Sequence, residues 1–229
     1  MRIIVGMNGT TGVLYGIRLL EVLSGIGQME THLILSRACE RTVALETPRS
    51  LGEIRALATC NHQIDDIAAG PASGSFRSDG MVVAPCSMKT LAAVAHSYSD
   101  NLLTRAADVT LKERRPLILL FRETPLTLAH IRNMEAVTLM GGIVMPPLPA
   151  FYSRPQTVAD LVDGAVGRAL DLLGEYGVVR GAGIAGQGAV ALNEWLEERS
   201  GIARLRRVLE GGLLRYAALG RAARLLQQL

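Results

Sequence analysis

Short, continuous apolar runs alternate with amphipathic stretches over the first 173 residues, and that alternation leaves few folds open. Residues 2–7, 31–35, 80–84, 116–121 and 143–145 read as strands. Helical spacing covers 12–23, 37–45, 50–58, 89–95 and 126–140, and a closing helix is expected over 158–173. Strands that are apolar throughout, rather than alternating, are buried on both faces. The expected class is therefore α/β: a three-layer α/β/α, doubly wound parallel sheet. Aromatics make up only 4% of the chain, so the core must be aliphatic.

Beyond residue 176 the texture changes. Residues 177–188 hold five glycines in twelve positions, which is linker composition. Residues 189–229 form an amphipathic basic segment in which Leu205, Val208, Leu209, Leu213, Tyr216 and Leu225 lie opposite Arg204, Arg207, Arg221 and Arg224. The expected division is a domain over 1–176, a linker over 177–188 and a helical tail over 189–229. The tail is expected to dock on its own body or a sister subunit, with a membrane surface as the lesser alternative. Up to Leu173 there are 16 basic and 16 acidic residues, so the net charge of +3 sits in the tail. The body thus offers no basic field for nucleic acid. No apolar run approaches the ~18 residues of a membrane span. Met1 and Arg2 run straight into Ile3-Ile4-Val5, and the three cysteines show no C-x-x-C, so a reduced, cytoplasmic protein is expected.

Several segments carry chemistry-bearing residues. Gly6-Met7-Asn8-Gly9-Thr10-Thr11-Gly12 is a glycine-rich strand-to-helix turn, suited to an anion through backbone amides and two hydroxyls. It also fits an ordinary tight turn with Thr11 as the helix cap. Pro85-Cys86-Ser87-Met88-Lys89-Thr90 follows another strand on the same sheet edge; Cys86 is either a nucleophile or, more commonly, a small buried thiol. The charged run from Arg105 to Pro116 resembles a solvated helix face. Arg122-Glu123 differs, because a charged pair after a buried strand points into the cleft. Tyr152, in a turn behind prolines, either caps a ligand or closes the core. His32, His62, His96 and His130 show no H-x-x-x-H spacing and Asp65-Asp66 begins no D-D-x-x-D, so no metal site is expected.

Taken as a set, further segments carry a family resemblance. They are Val5-Gly6-Met7-x-Gly9-x-Thr11-Gly12, Ser73-Gly74-Ser75-Phe76, Ala84-Pro85-Cys86-Ser87-x-Lys89-Thr90-Leu91 and Arg105-Ala106-Ala107-Asp108. Leu111-Lys112-Glu113-Arg114-Arg115-Pro116-Leu117, Arg122-Glu123-x-Pro125-Leu126 and Pro146-Pro147-x-Pro149-Ala150-Phe151-Tyr152-x-x-Pro155 continue it. The chain resembles the flavin prenyltransferases of the UbiX type, including the small "B" proteins of hydroxyarylic acid decarboxylase systems. The likeness runs from Met1 to Leu173 and leaves out the tail.

The resemblance implies a Rossmann- or flavodoxin-like fold in a homo-oligomer, commonly a dodecamer, with sites between subunits. It implies metal-independent transfer of a dimethylallyl group from dimethylallyl phosphate to N5 and C6 of reduced FMN, giving prenylated FMN for a partner decarboxylase. By the same resemblance, FMN contacts fall to Gly9, Thr10, Thr11, Ser36, Ser87, Met88, Lys89, Thr90 and Arg122. Dimethylallyl phosphate contacts fall to Lys112, Arg122, Tyr152 and Arg168, some of them from neighbouring subunits. Glu46 and Glu123 are implied as acidic groups assisting proton movement and phosphate departure, beside Lys112 and Arg122. Two rivals are a flavin-dependent cysteine decarboxylase, whose P-x-M-N-x-x-M-W signature is missing from the sequence, and a non-catalytic FMN-binding subunit of a decarboxylase complex.

Overall fold

The structure is a computed structural model, and it describes residues 1–27 and 29–174. The expected linker and basic tail lie outside the described residues. Among the described residues six strands form one sheet: β1 (Arg2–Met7), β2 (Glu30–Leu35), β3 (Cys60–His62), β4 (Gly80–Cys86), β5 (Leu117–Phe121) and β6 (Ile143–Val144). Every pairing is parallel and the order is β3-β2-β1-β4-β5-β6. The chain steps outward from β1 in one direction and then, from β4, in the other. In such sheets the crevice beyond the carboxyl ends of β1 and β4 is where ligands settle.

Among the described residues seven α-helices flank the strands: α1 (Val13–Ser24), α2 (Arg37–Glu46), α3 (Leu51–Ala56), α4 (Met88–Ala95), α5 (Leu102–Lys112), α6 (Leu128–Leu139) and, after the last strand, α7 (Val158–Leu173). Helix α1 packs against α2 and α7, while α4 packs against α5 and α6. The two groups cover opposite faces, as right-handed crossovers require when the winding reverses. Both β4 and β5 are buried along their whole length, which explains their unbroken apolar sequence. The core is aliphatic, with Phe121 its largest fully buried side chain.

The helix starts are written in the sequence. Ser36, Ser87 and Asn101 each accept a backbone N–H three residues on, and Ser50-Glu53, Thr127-His130 and Thr157-Asp160 form reciprocal capping boxes. Each such cap stabilises its helix by about 1 kcal/mol. Helix α1 is the exception and corrects the expectation that Thr11 caps it. Gly12 is the cap, at φ 102°, and no side chain of its own loop bonds the first amides. The Glu46 carboxylate does so instead, its Oε2 accepting from Gly12 N at 2.8 Å and Val13 N at 3.1 Å.

Two further elements differ from the sequence reading. The three-residue edge strand β3 has no apolar run to announce it. The charged run from Arg105 turns out to be half of α5, whose other side buries Leu102, Leu103, Ala106, Ala107, Val109 and Thr110.

Candidate active site

Four strand-to-helix loops meet at the carboxyl edge of the sheet. Asn8 is buried, and its Oδ1 accepts from Ser87 N at 3.1 Å, tying the β1 loop to the β4 loop. Thr42 Oγ1 donates to the Gly9 carbonyl at 2.9 Å, holding the same loop on α2. Arg122 N donates to the Cys86 carbonyl at 3.0 Å, and Thr10 Oγ1 donates to the Arg122 carbonyl at 3.2 Å, adding the β5 loop. Gly9 has no room for a side chain: a Cβ there would lie 2.4 Å from Ala38 Cβ and 2.6 Å from its carbonyl carbon.

These loops enclose a cavity of about 610 Å³. Asn8, Gly9 and Thr10, then Ser36, Arg37 and Ala38, then Ser87, Met88, Lys89 and Thr90 form its wall, with Glu123 at the β5 end. The amino ends of α2 and α4 both open onto it, and helix amino ends favour an anion. The wall also carries Asp65 and Asp100, each already paired: Asp65 with Arg37, and Asp100 with Lys89 at 2.8 Å. Lys89 holds the Asp100 carboxyl below the usual carboxylate range. Of the residues expected at a flavin, Gly9, Thr10, Ser36, Ser87, Met88, Lys89 and Thr90 are therefore brought together.

Thr11 is not among them; it is exposed and lies off the cavity wall. Arg122 is half-buried beside Tyr15, whose hydroxyl is pushed up by burial against the pull of that guanidinium. Tyr152 and Arg168 are brought together elsewhere, lining a second cavity of about 240 Å³ with Pro146, Pro147 and Asp160. Tyr152 is 93% exposed, so it does not close the core. Lys112 ends α5 just before β5 begins, hence at the amino edge of the sheet, where it pairs with Glu113. Glu46 is committed to the α1 amides and Glu123 alone of the two acids reaches the first cavity.

Cys86 is fully buried and its thiol is pushed far up by burial, which removes it as a nucleophile. Asn8, Asp100 and Asn101 were not singled out from the sequence, although all three line the cavity. Asn101 was detectable as a helix cap before an apolar run; the Lys89 partner Asp100 was not, because their pairing spans two elements.

The flavoprotein family matches residues 1–170. The flavin prenyltransferase UbiX of Escherichia coli (strain K12) is 54% identical over 170 residues, spanning 74% of this chain and 90% of that protein. A dodecameric FMN-dependent UbiX-like decarboxylase from Escherichia coli O157:H7 superposes with a TM-score of 0.75 at 50% identity, over 76% of this chain and 94% of that one. The crystal structure of AnUbiX (PadA1) in complex with FMN and dimethylallyl pyrophosphate gives a TM-score of 0.73 at 50% identity, over 75% and 91%. With that identity spread over the whole doubly wound body, the chain belongs to the UbiX-type flavin prenyltransferases of the flavoprotein family.

Proposed function

We propose that the protein transfers a dimethylallyl group from dimethylallyl phosphate to N5 and C6 of reduced FMN, making prenylated FMN for a partner decarboxylase. The observation that carries this is the cavity at the β1/β4 reversal, walled by hydroxyls and two helix amino ends in a chain of this family. Its volume lies within the ~300–1,000 Å³ of small-molecule sites. The residues fit FMN: polar donors at Thr10, Ser36, Ser87 and Thr90 suit a phosphate and ring heteroatoms, and Ile64, Met88 and Leu103 offer an apolar wall to a planar ring. Reduced FMN, when bound, supplies the nucleophilic N5 and C6.

The remaining work belongs to the chain. As the donor's C–O bond breaks, cations must hold the departing phosphate in a site closed to water. Arg122 sits beside Glu123 in the loop after β5, off the cavity wall but tied to it through its carbonyl and Thr10, and Glu123 on the wall is placed to hold or move a proton. Lys112, Tyr152 and Arg168 do not reach this cavity within one chain. Tyr152 presents a nearly bare ring, and the Arg168 side chain is 64% exposed with Asp171 3.9 Å away. Such exposed groups suit a site shared between subunits of a homo-oligomer, in which they approach the flavin cavity of a neighbour.

A diphosphate leaving group is commonly neutralised by Mg²⁺ on clustered carboxylates. Here Asp65 and Asp100 on the wall are spent on Arg37 and Lys89. Incubation with reduced FMN and dimethylallyl monophosphate in EDTA is expected to yield the prenylated flavin, read by mass spectrometry. Strict dependence on added Mg²⁺, or no flavin product with or without Mg²⁺, would overturn the reading. The second would favour a non-catalytic flavin-binding subunit.

All the residues in this account precede the expected linker. A chain stopped after Tyr176 is expected to keep prenyl transfer at the rate of the full protein. A truncated protein that stays soluble and oligomeric yet is inactive would assign the tail a part in the site.

A further inference from the structure

A second cluster of reactive side chains lies away from the flavin cavity, on the outer strands β2 and β3. The register pairs His32 with Cys60 and Ile34 with His62. Because strand side chains alternate faces, Glu30, His32, Cys60 and His62 all stand on one face of this two-strand ribbon. Their donor atoms converge: the carboxylate of Glu30, the imidazole of His32 and the thiol of Cys60 lie within 4.8 Å of one another. We propose that Glu30, His32 and Cys60 bind one thiophilic divalent transition ion, of which zinc is the best match, with His62 as the positioning residue for His32.

The chemistry fits. Thiolate, imidazole and carboxylate are the three donor types of protein zinc sites, and tetrahedral bonds of ~2.0–2.3 Å set donors about 3.3–3.8 Å apart. Side-chain adjustments of a fraction of an ångström to about one ångström bring the present donors to that spacing. His32 is 4% exposed and held on three sides. Its Nε2 faces Glu30 Oε1 at 2.8 Å, its Nδ1 meets His62 Nε2 at 2.8 Å, and Phe76 stands edge-on at 4.9 Å. A ligating histidine normally donates its other ring N–H to a fixed acceptor, and His62 supplies one, its ring stacked 5.1 Å from that of His32.

Glu30 is oriented in the same way. Arg2, itself stacked over Phe76 at 4.5 Å, holds Oε2 through Nε at 3.0 Å and Nη2 at 2.9 Å, leaving Oε1 turned to His32. On binding, the Cys60 thiol gives its proton to solvent and the His32 proton that faces Glu30 shifts to Nδ1, with His62 taking the tautomer that accepts it, so thiolate and carboxylate together balance the doubly charged ion. Three protein donors leave a coordination position for water, and Cys60 is half-exposed, so the ion has a way in. Glu30 opens β2 at the amino edge of the sheet, whereas the flavin cavity lies beyond the carboxyl edge. The two sites are therefore distinct, and this inference does not rest on the proposed activity.

The test uses the full chain, stripped with chelator and desalted, then titrated with Zn²⁺ against a chromophoric indicator and separately with Co²⁺. One equivalent per chain is expected, with a Co²⁺–thiolate charge-transfer band in the near ultraviolet. Cys60→Ser, a half-exposed position, is expected to fold normally, to bind at least tenfold more weakly and to lose the band. Bound Zn²⁺ should also shield Cys60 from alkylation, while the buried Cys39 and Cys86 stay unreacted with or without metal. No uptake, or uptake with the same affinity and spectrum in Cys60→Ser, would overturn the site.

Discussion

Gly9→Ala is expected to weaken FMN binding tenfold or more, about 1.4 kcal/mol, and to lower the stability of the fold by roughly 1–3 kcal/mol. The new Cβ would meet not only Ala38 Cβ at 2.4 Å but its carbonyl carbon at 2.6 Å and carbonyl oxygen at 2.8 Å. Backbone cannot rotate away as a side-chain tip can, so the β1 loop or the first turn of α2 must move. Both surfaces line the cavity, and their link through Thr42 and the Gly9 carbonyl would stretch with them. Gly164→Ala in the middle of α7 is the control, because a Cβ there meets nothing within 4 Å. Helix propensity alone should then stabilise by up to ~1 kcal/mol. Thermal unfolding should separate the two variants in sign, at about 2–4 °C per kcal/mol for a domain of this size. An unchanged flavin titration in Gly9→Ala would place FMN elsewhere.

The sheet was legible because its strands are buried on both faces, so β1, β4 and β5 carry unbroken apolar runs whatever the rest of the chain does. Strand β3 was invisible for the same reason inverted: three residues at a sheet edge, one exposed and two half-buried, need no apolar signal. Helix α5 was half legible. Its charged side reads as a solvated face, whereas its small buried side of Ala106, Ala107 and Thr110 has too little bulk to stand out.

The site divides along a similar line. The glycine-rich turn after β1 and the Pro85–Thr90 loop after β4, both local signals, fall on the cavity wall, whereas Ser36 was implied only by the family resemblance. Interactions between distant segments were not accessible to local reading. Nothing about residues 9–12 says that their helix is capped by Glu46, 34 positions on from Gly12. The cluster on β2 and β3 leaves no local signal for a geometric reason: Glu30-x-His32 and Cys60-x-His62 share a face through the two-residue repeat of adjacent parallel strands, not through histidines three or four apart on a helix.

Arg168→Ala is expected to lower prenyl transfer by roughly 10²–10³ while leaving FMN affinity and thermal stability unchanged. That magnitude is typical of removing one group that stabilises charge on a departing oxygen. The separation follows from placement. Arg168 lines the second cavity with Tyr152, not the wall formed by the β1, β2 and β4 loops, so the flavin contacts of its own chain stay intact. Its side chain is 64% exposed, and Asp171, at 3.9 Å, is its ion-pair partner. Truncation therefore opens no core cavity and should shift stability by no more than ~0.5 kcal/mol. Arg168→Lys separates charge from geometry: an ammonium keeps the charge but not the bidentate fork that matches a phosphate, so partial activity is expected. The measurements are single-turnover flavin prenylation and FMN titration on the same preparations. Full activity in Arg168→Ala would take the second cavity out of the reaction, and lost FMN binding would make it part of the flavin site instead.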